Sequence, residues 1–139
     1  MKKQIISSIS ILSVMLLGCG GGGASSAPIV DVAKLIENQP FYRVKRSTSR
    51  YSKETFDGNG TLHKEIYFMD SSLDENTTIS YRISGTRVYM TENNVTVHCR
   101  VEDHNASVTF LCLKEGFSGS GTPTIRWKTL TDAKIHPES

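Results

Sequence analysis

From residue 41 onward, apolar and polar residues alternate in short runs, each closed by a cluster of glycine, asparagine, aspartate or serine. A period of two places successive side chains on opposite faces of a strand. The pattern predicts strands over residues 41–48, 51–56, 61–69, 77–84, 86–91, 95–102, 108–112 and 124–130. Asp57-Gly58-Asn59-Gly60 is the plainest turn, with two glycines and Asx side chains suited to positive φ. Gly85 turns a second hairpin that carries Ile79, Tyr81 and Ile83 on one face, answered by Val88 and Met90. Residues 70–76 read as a polar loop, residues 116–124 as a Gly/Ser/Pro loop, and the last strand carries Ile125 and Trp127 on one side. Ahead of the strands, Asp31 caps a short helix bearing Val32, Leu35 and Ile36, and Pro40 stops it near Gln39. Many short strands with regular turn signals predict an antiparallel sheet, and closing that sheet removes its exposed edges. The expected fold is therefore mainly β: a small antiparallel up-and-down β-barrel of about eight strands with one short N-terminal helix.

The cysteines sharpen one hairpin. Val95, Val97, Cys99 and Val101 share a face, as do Val108, Phe110 and Cys112. Placing Cys99 opposite Cys112 sets Val101 against Phe110 and Asp103 against Val108, leaving His104-Asn105-Ala106-Ser107 as the turn. Pleat and bond agree in that register, so a Cys99–Cys112 disulfide is expected in an exported domain.

Export is itself read from the N-terminus. Lys2 and Lys3 precede an uncharged run, Ile5 to Leu17, which is too short to span a bilayer as a helix and suits a signal peptide. Leu16-Leu17-Gly18-Cys19 resembles the lipobox of bacterial lipoproteins, which implies cleavage before Cys19 and lipidation of its thiol. Gly20-Gly21-Gly22-Gly23-Ala24-Ser25-Ser26-Ala27 follows as a flexible leash. The chain thus divides into a signal peptide (1–18), a lipidated tether (19–30) and one barrel domain (31–139). By resemblance to enterobacterial sorting, Gly20 after the lipid-bearing cysteine favours the outer membrane over the inner. Removing residues 1–18 also cancels the formal charge of +2, because Lys2 and Lys3 leave with them.

Phe56-Asp-Gly-Asn-Gly-Thr-Leu62 followed by Tyr81-Arg-Ile-Ser-Gly-Thr-Arg-Val88 resembles the hairpins of small lipocalin-like domains in bacterial lipoproteins. Where lipocalins carry Gly-x-Trp, this chain has Gln39-Pro40-Phe41-Tyr42, so Phe41 or Tyr42 is expected to plug the barrel floor. The resemblance implies a binding module for a small apolar ligand or envelope component, with Ile79, Tyr81, Val97 and Phe110 as inward residues that would line a pocket. The alternative is an envelope interaction or assembly protein with a filled barrel that acts through its surface.

Remaining chemistry is sparse. Arg43, Lys45, Arg46, Arg50 and Lys53 fall in one acid-free stretch near the tether, which suits anionic headgroups or merely guarded strand edges. His63, His98, His104 and His136 lack metal-ligand spacing, so neither a metal nor a cofactor is expected. The absence of Gly-x-Ser-x-Gly, His-Glu-x-x-His or P-loop patterns argues against an enzyme, and export with balanced charge argues against nucleic acid as partner.

Overall fold

The computed structural model describes residues 29–139; the expected signal peptide, Cys19 and the leash lie outside them. Asp31 accepts from the Lys34 backbone N–H and opens helix α1 (Val32–Ile36), whose Val32 and Ile36 are buried. Eight strands follow: β1 (Pro40–Lys45), β2 (Arg50–Phe56), β3 (Thr61–Phe68), β4 (Leu73–Ser84), β5 (Arg87–Glu92), β6 (Val95–Asp103), β7 (Ser107–Lys114) and β8 (Thr122–Trp127). Each pairs antiparallel with its neighbour in sequence, and β1 meets β8, so the sheet is a closed up-and-down barrel. A second helix, α2 (Leu130–Ile135), ends the chain's regular structure.

Pairing keeps apolar residues of matching parity inside. Phe41, Phe56, Leu62, Ile79, Tyr81, Val88, Met90, Cys99, Val101, Val108 and Phe110 form one core with Val32 and Ile36 of α1. Phe41, not Tyr42, takes the interior place at the floor, because Tyr42 faces outward with Trp127 and Val44. The Phe56 ring stacks on Phe110 at 5.8 Å and meets the Tyr81 ring edge-on at 5.0 Å. Cys99 and Cys112 are directly opposed and bonded in the β6–β7 register expected from the pleat, with Val101 against Phe110 and Asp103 against Val108.

Several segments depart from the sequence reading: residues 46–48, expected as strand, form a 3₁₀ turn after β1, and β8 already begins at Thr122, inside the expected loop. Residues 73–76, expected in a loop, extend β4 to Leu73, since Glu65 and Ile66 of β3 pair with Asn76 and Glu75. A register shift at Ile66/Tyr67 leaves Asp74 free to reach Arg50 at 2.7 Å. The last strand stops at Trp127 rather than Leu130, because Thr129 accepts from the Asp132 N–H and starts α2. The face of β8 that carries Ile125 and Trp127 is the outer one: Trp127 joins Tyr42, Val44, Tyr51, Tyr67, Leu130 and Ala133 in a second cluster under α2.

The seam between β1 and β8 rests on one strand pair, Tyr42 with Trp127. Beyond it the chain after α2 returns along β1: the Glu138 N–H donates to the Val44 carbonyl at 2.8 Å, and the Arg46 N–H donates to the Glu138 carbonyl at 3.2 Å.

Candidate functional site

The two ends of the barrel differ in kind. At the end holding α1 and the turns 57–60, 84–87 and 103–107, aromatic and aliphatic side chains fill the interior. Tyr81 belongs here. Its hydroxyl donates to Glu37 at 2.7 Å and accepts from the Gly58 N–H at 3.0 Å, and burial with the Glu37 bond pushes the phenol up to about 12. That end is closed.

Toward the other end, the inward positions of β1, β2 and β3 turn from apolar to charged. Glu54 shares the parity of Phe56, Lys64 that of Leu62, and Arg43 that of Phe41. Arg126 enters from β8 opposite Val108. Glu54 and Arg126 are 3% and 6% exposed, and Arg126 Nε donates to Glu54 Oε2 at 2.5 Å. Arg126 also lies over the Phe110 ring, 4.0 Å from its centroid, so the guanidinium roofs the packed half. Arg43 Nη1 stands 3.7 Å from Glu54 Oε1, while Arg43 Nε and Nη2 grip both oxygens of Glu138 at 2.8 and 2.9 Å. Burial alone would raise the Glu54 carboxyl, but Arg126 and Arg43 outweigh it and hold the group below its ordinary range.

Above this layer the interior is open. A cavity of about 200 Å³ is bounded by the apolar Leu62, Ile79, Met90, Val95 and Val97 and by the charged Arg43, Glu54, Lys64, Glu92 and Arg126. A second cavity of about 210 Å³ adjoins it through Arg43 and Lys64 and reaches Lys45, Arg50 and Glu138 at the rim. Exposed Phe68, Leu73 and Val95 at strand ends, with Met69 and Phe117 on the connecting segments, lie at the same end. Comparison with family models, curated proteins and solved structures found no match. The barrel's own residues therefore carry the functional argument.

The residues singled out in sequence separate between the two halves. Ile79 and Val97 line the cavity, whereas Tyr81 and Phe110 are buried beneath it. The basic stretch does not stay together: Arg43, Lys45 and Arg50 border the open end, Arg46 lies in the exposed turn joining β1 to β2, and Lys53 pairs with Glu65 at 3.2 Å on the outer wall. Although next to the tether in sequence, Lys45 and its strand partner Arg50 lie the length of β1 away from α1, roughly 20 Å for six residues at strand rise. Glu54, Lys64 and Arg126, which compose the charged layer, were not anticipated. The signal was available in their parity, since each alternates with inward residues of its own or the pairing strand.

Among the described residues, no three His, Cys, Asp or Glu side chains group as metal ligands. The histidines are dispersed: His63 lies 3.7 Å from Asp57, His98 contacts Arg87, His104 lies 3.9 Å from Glu102, and His136 stacks on Trp127.

Proposed function

We propose that this chain is a lipid-anchored bacterial envelope protein whose barrel is a binding module, taking a small ligand through the open, charged end. The observation that supports the binding module is the division of the interior: half is packed solid, and half is a cavity that reaches down to the buried pair Glu54 and Arg126. A barrel meant only as a scaffold gains nothing from burying Glu54 and Arg126, because such a pair contributes little over well-packed apolar residues. The anchor rests on the lipobox-like Leu16-Leu17-Gly18-Cys19 and places the protein in the cell envelope, with the outer membrane favoured. Acyl burial at about 0.8 kcal/mol per CH₂ makes attachment by two or three chains lasting.

Metabolic labelling with a palmitate analogue tests the anchor: the native protein is expected to label and Cys19→Ala to remain blank, and equal labelling of both would remove the anchor. The mouth is tested by blocking it. Small metabolites that raise the unfolding temperature of the native protein are expected to lose that effect in Val97→Trp, whose indole would fill the cavity beside Ile79. Undiminished shifts in Val97→Trp would locate binding elsewhere.

A further inference from the structure

The cavity at the rim of the open end is built around one short side chain set among long cationic ones. Ser52 of β2 lies directly opposite Arg43 of β1 and Ile66 of β3; on the same inward face Lys45 is opposite Arg50, and Lys64 stands two positions before Ile66. The serine leaves room that the longer chains enclose, a cavity of about 210 Å³ bordered by Arg43, Lys45, Arg50, Lys64 and Ile66. These cations are within reach of a ligand, since the Arg43 and Arg50 side chains keep 24% and 41% of their surface open. Glu138 answers Arg43, Asp74 answers Arg50, and Glu54 below them answers Arg126. Lys45 and Lys64 form no ion pair with a described residue, so two positive charges of the wall are left over. Glu75, opposite Ile66 on β4, is exposed and outside this lining, and counted in full it still leaves the wall positive. Like charges directly opposite on one face, as Lys45 and Arg50 are, weaken a sheet. Edge protection does not account for Arg50 and Lys64, because β2 and β3 are paired on both sides.

We propose that this cavity binds the phosphoryl group of a phosphomonoester, held by the ammonium groups of Lys45 and Lys64 and by free guanidinium N–H groups of Arg43 and Arg50, above the Ser52 hydroxyl. This rests on the barrel being a binding module and names the class of ligand it takes. A phosphomonoester brings between about 1.5 and 2 negative charges at neutral pH, with strong acceptor oxygens, and so answers two unpaired lysines. A carboxylate, a sulfate ester or a phosphodiester brings a single charge and leaves one lysine unanswered. Each guanidinium carries several N–H donors and commits only part of them to Glu138 or Asp74, so both arginines can still donate to the guest. The organic body has a place as well, because Arg43 and Lys64 also border the adjoining cavity with its apolar Leu62, Ile79 and Val97. The shared chemistry is a terminal phosphoryl group, whether on a soluble molecule or on a lipid headgroup.

The test uses the full chain purified in a non-ionic detergent, titrated calorimetrically with phenyl phosphate, with phenyl sulfate, which keeps the ring but carries a single charge, and with dihexanoyl phosphatidic acid, whose headgroup is a phosphomonoester. Phenyl phosphate is expected to bind at least tenfold more tightly than phenyl sulfate, as one charge-assisted hydrogen bond predicts. Lys45→Gln and Lys64→Gln, which break no described ion pair, are expected to keep the native melting temperature and each to lose about tenfold in phenyl phosphate affinity. Arg46→Gln, in the exposed turn outside the cavity, is expected to bind as the native protein does. Tighter binding of the phosphatidic acid than of phenyl phosphate would support a lipid headgroup as the source, and the reverse order a soluble ligand. Phenyl sulfate binding as tightly as phenyl phosphate, or unchanged affinity in both lysine variants, would overturn the phosphoryl assignment while leaving a small-molecule site intact. An equal loss in Arg46→Gln would reduce the cavity to diffuse attraction and overturn it too. Failure of both phosphomonoesters to bind would overturn the proposal outright, and the binding module would then stand or fall on the Val97→Trp comparison.

Discussion

Replacing Arg126 with Met is expected to lower the stability of the barrel by about 3–5 kcal/mol at neutral pH, the usual result of leaving one buried ion without its partner. Glu54 would remain 3% exposed in the native geometry with Arg43 at 3.7 Å as its nearest counter-charge. The double replacement Glu54→Leu with Arg126→Met is expected to recover most of the loss, because it removes both desolvation penalties and keeps similar volume. Acid separates this account from simple loss of packing. In the native protein the Glu54 carboxyl lies below its ordinary 4.5, so its contribution is complete above that pH and lost as pH falls through the depressed value. In Arg126→Met the burial that raises the group loses its main opponent, and protonation relieves the stranded charge. The deficit should therefore shrink on acidification from pH 7 to pH 4. Urea midpoints of the three proteins at both pH values decide it, and a deficit equal at the two would refute the charge-based explanation.

Opening the Cys99–Cys112 bridge is the second large effect. The cysteines are 13 positions apart, and closing a loop of that order contributes about 3 kcal/mol in the chain-entropy account. Because both strands also pair through Val101 with Phe110 and Asp103 with Val108, reduction removes the constraint without erasing the register. The reduced protein is expected to unfold at a clearly lower urea concentration while still showing a β-sheet circular dichroism spectrum before the transition. The variant with alanine at both positions should follow it, with an added loss from the emptied volume around fully buried Cys99. Coincident midpoints with and without reductant would refute the stabilising role.

Parts of this architecture were legible because several constraints converged on the same residues. The β6–β7 hairpin is the clearest case: pleat parity, two cysteines and the apolar Val101, Phe110 and Val108 admit one register, and β6 and β7 adopt it. Where only one kind of signal existed, reading failed. Residues 73–76 carry mostly polar and acidic side chains, and nothing local distinguishes an exposed strand extension from a loop; the pairing partner in β3 decides. Helix α2 was missed although Thr129 and Asp132 stand at capping separation, because Trp127 to Leu130 read more strongly as strand. The charged layer was hidden for a further reason. Periodicity counts apolar residues, so Glu54, Lys64 and Arg126 pass as solvent-facing charges until closure sets Glu54 beside a guanidinium 72 residues away.

The seam gives the barrel a preferred order of assembly. Seven of the eight strand junctions join neighbours in sequence and can form as local hairpins while the chain lengthens. The eighth, between β1 and β8, has only Tyr42 with Trp127, and its remaining length is sealed when Glu138 docks on Val44, Arg46 and Arg43 across 95 positions of chain. That contact closes the longest loop of the sheet and so carries its largest loop-closure entropy. Without residues 136–138 the seam would be held by Tyr42 with Trp127 and by α2, and the rest of the β1 edge would be open to pairing. Glu138 thus covers the stretch of the β1 edge that β8 leaves unpaired.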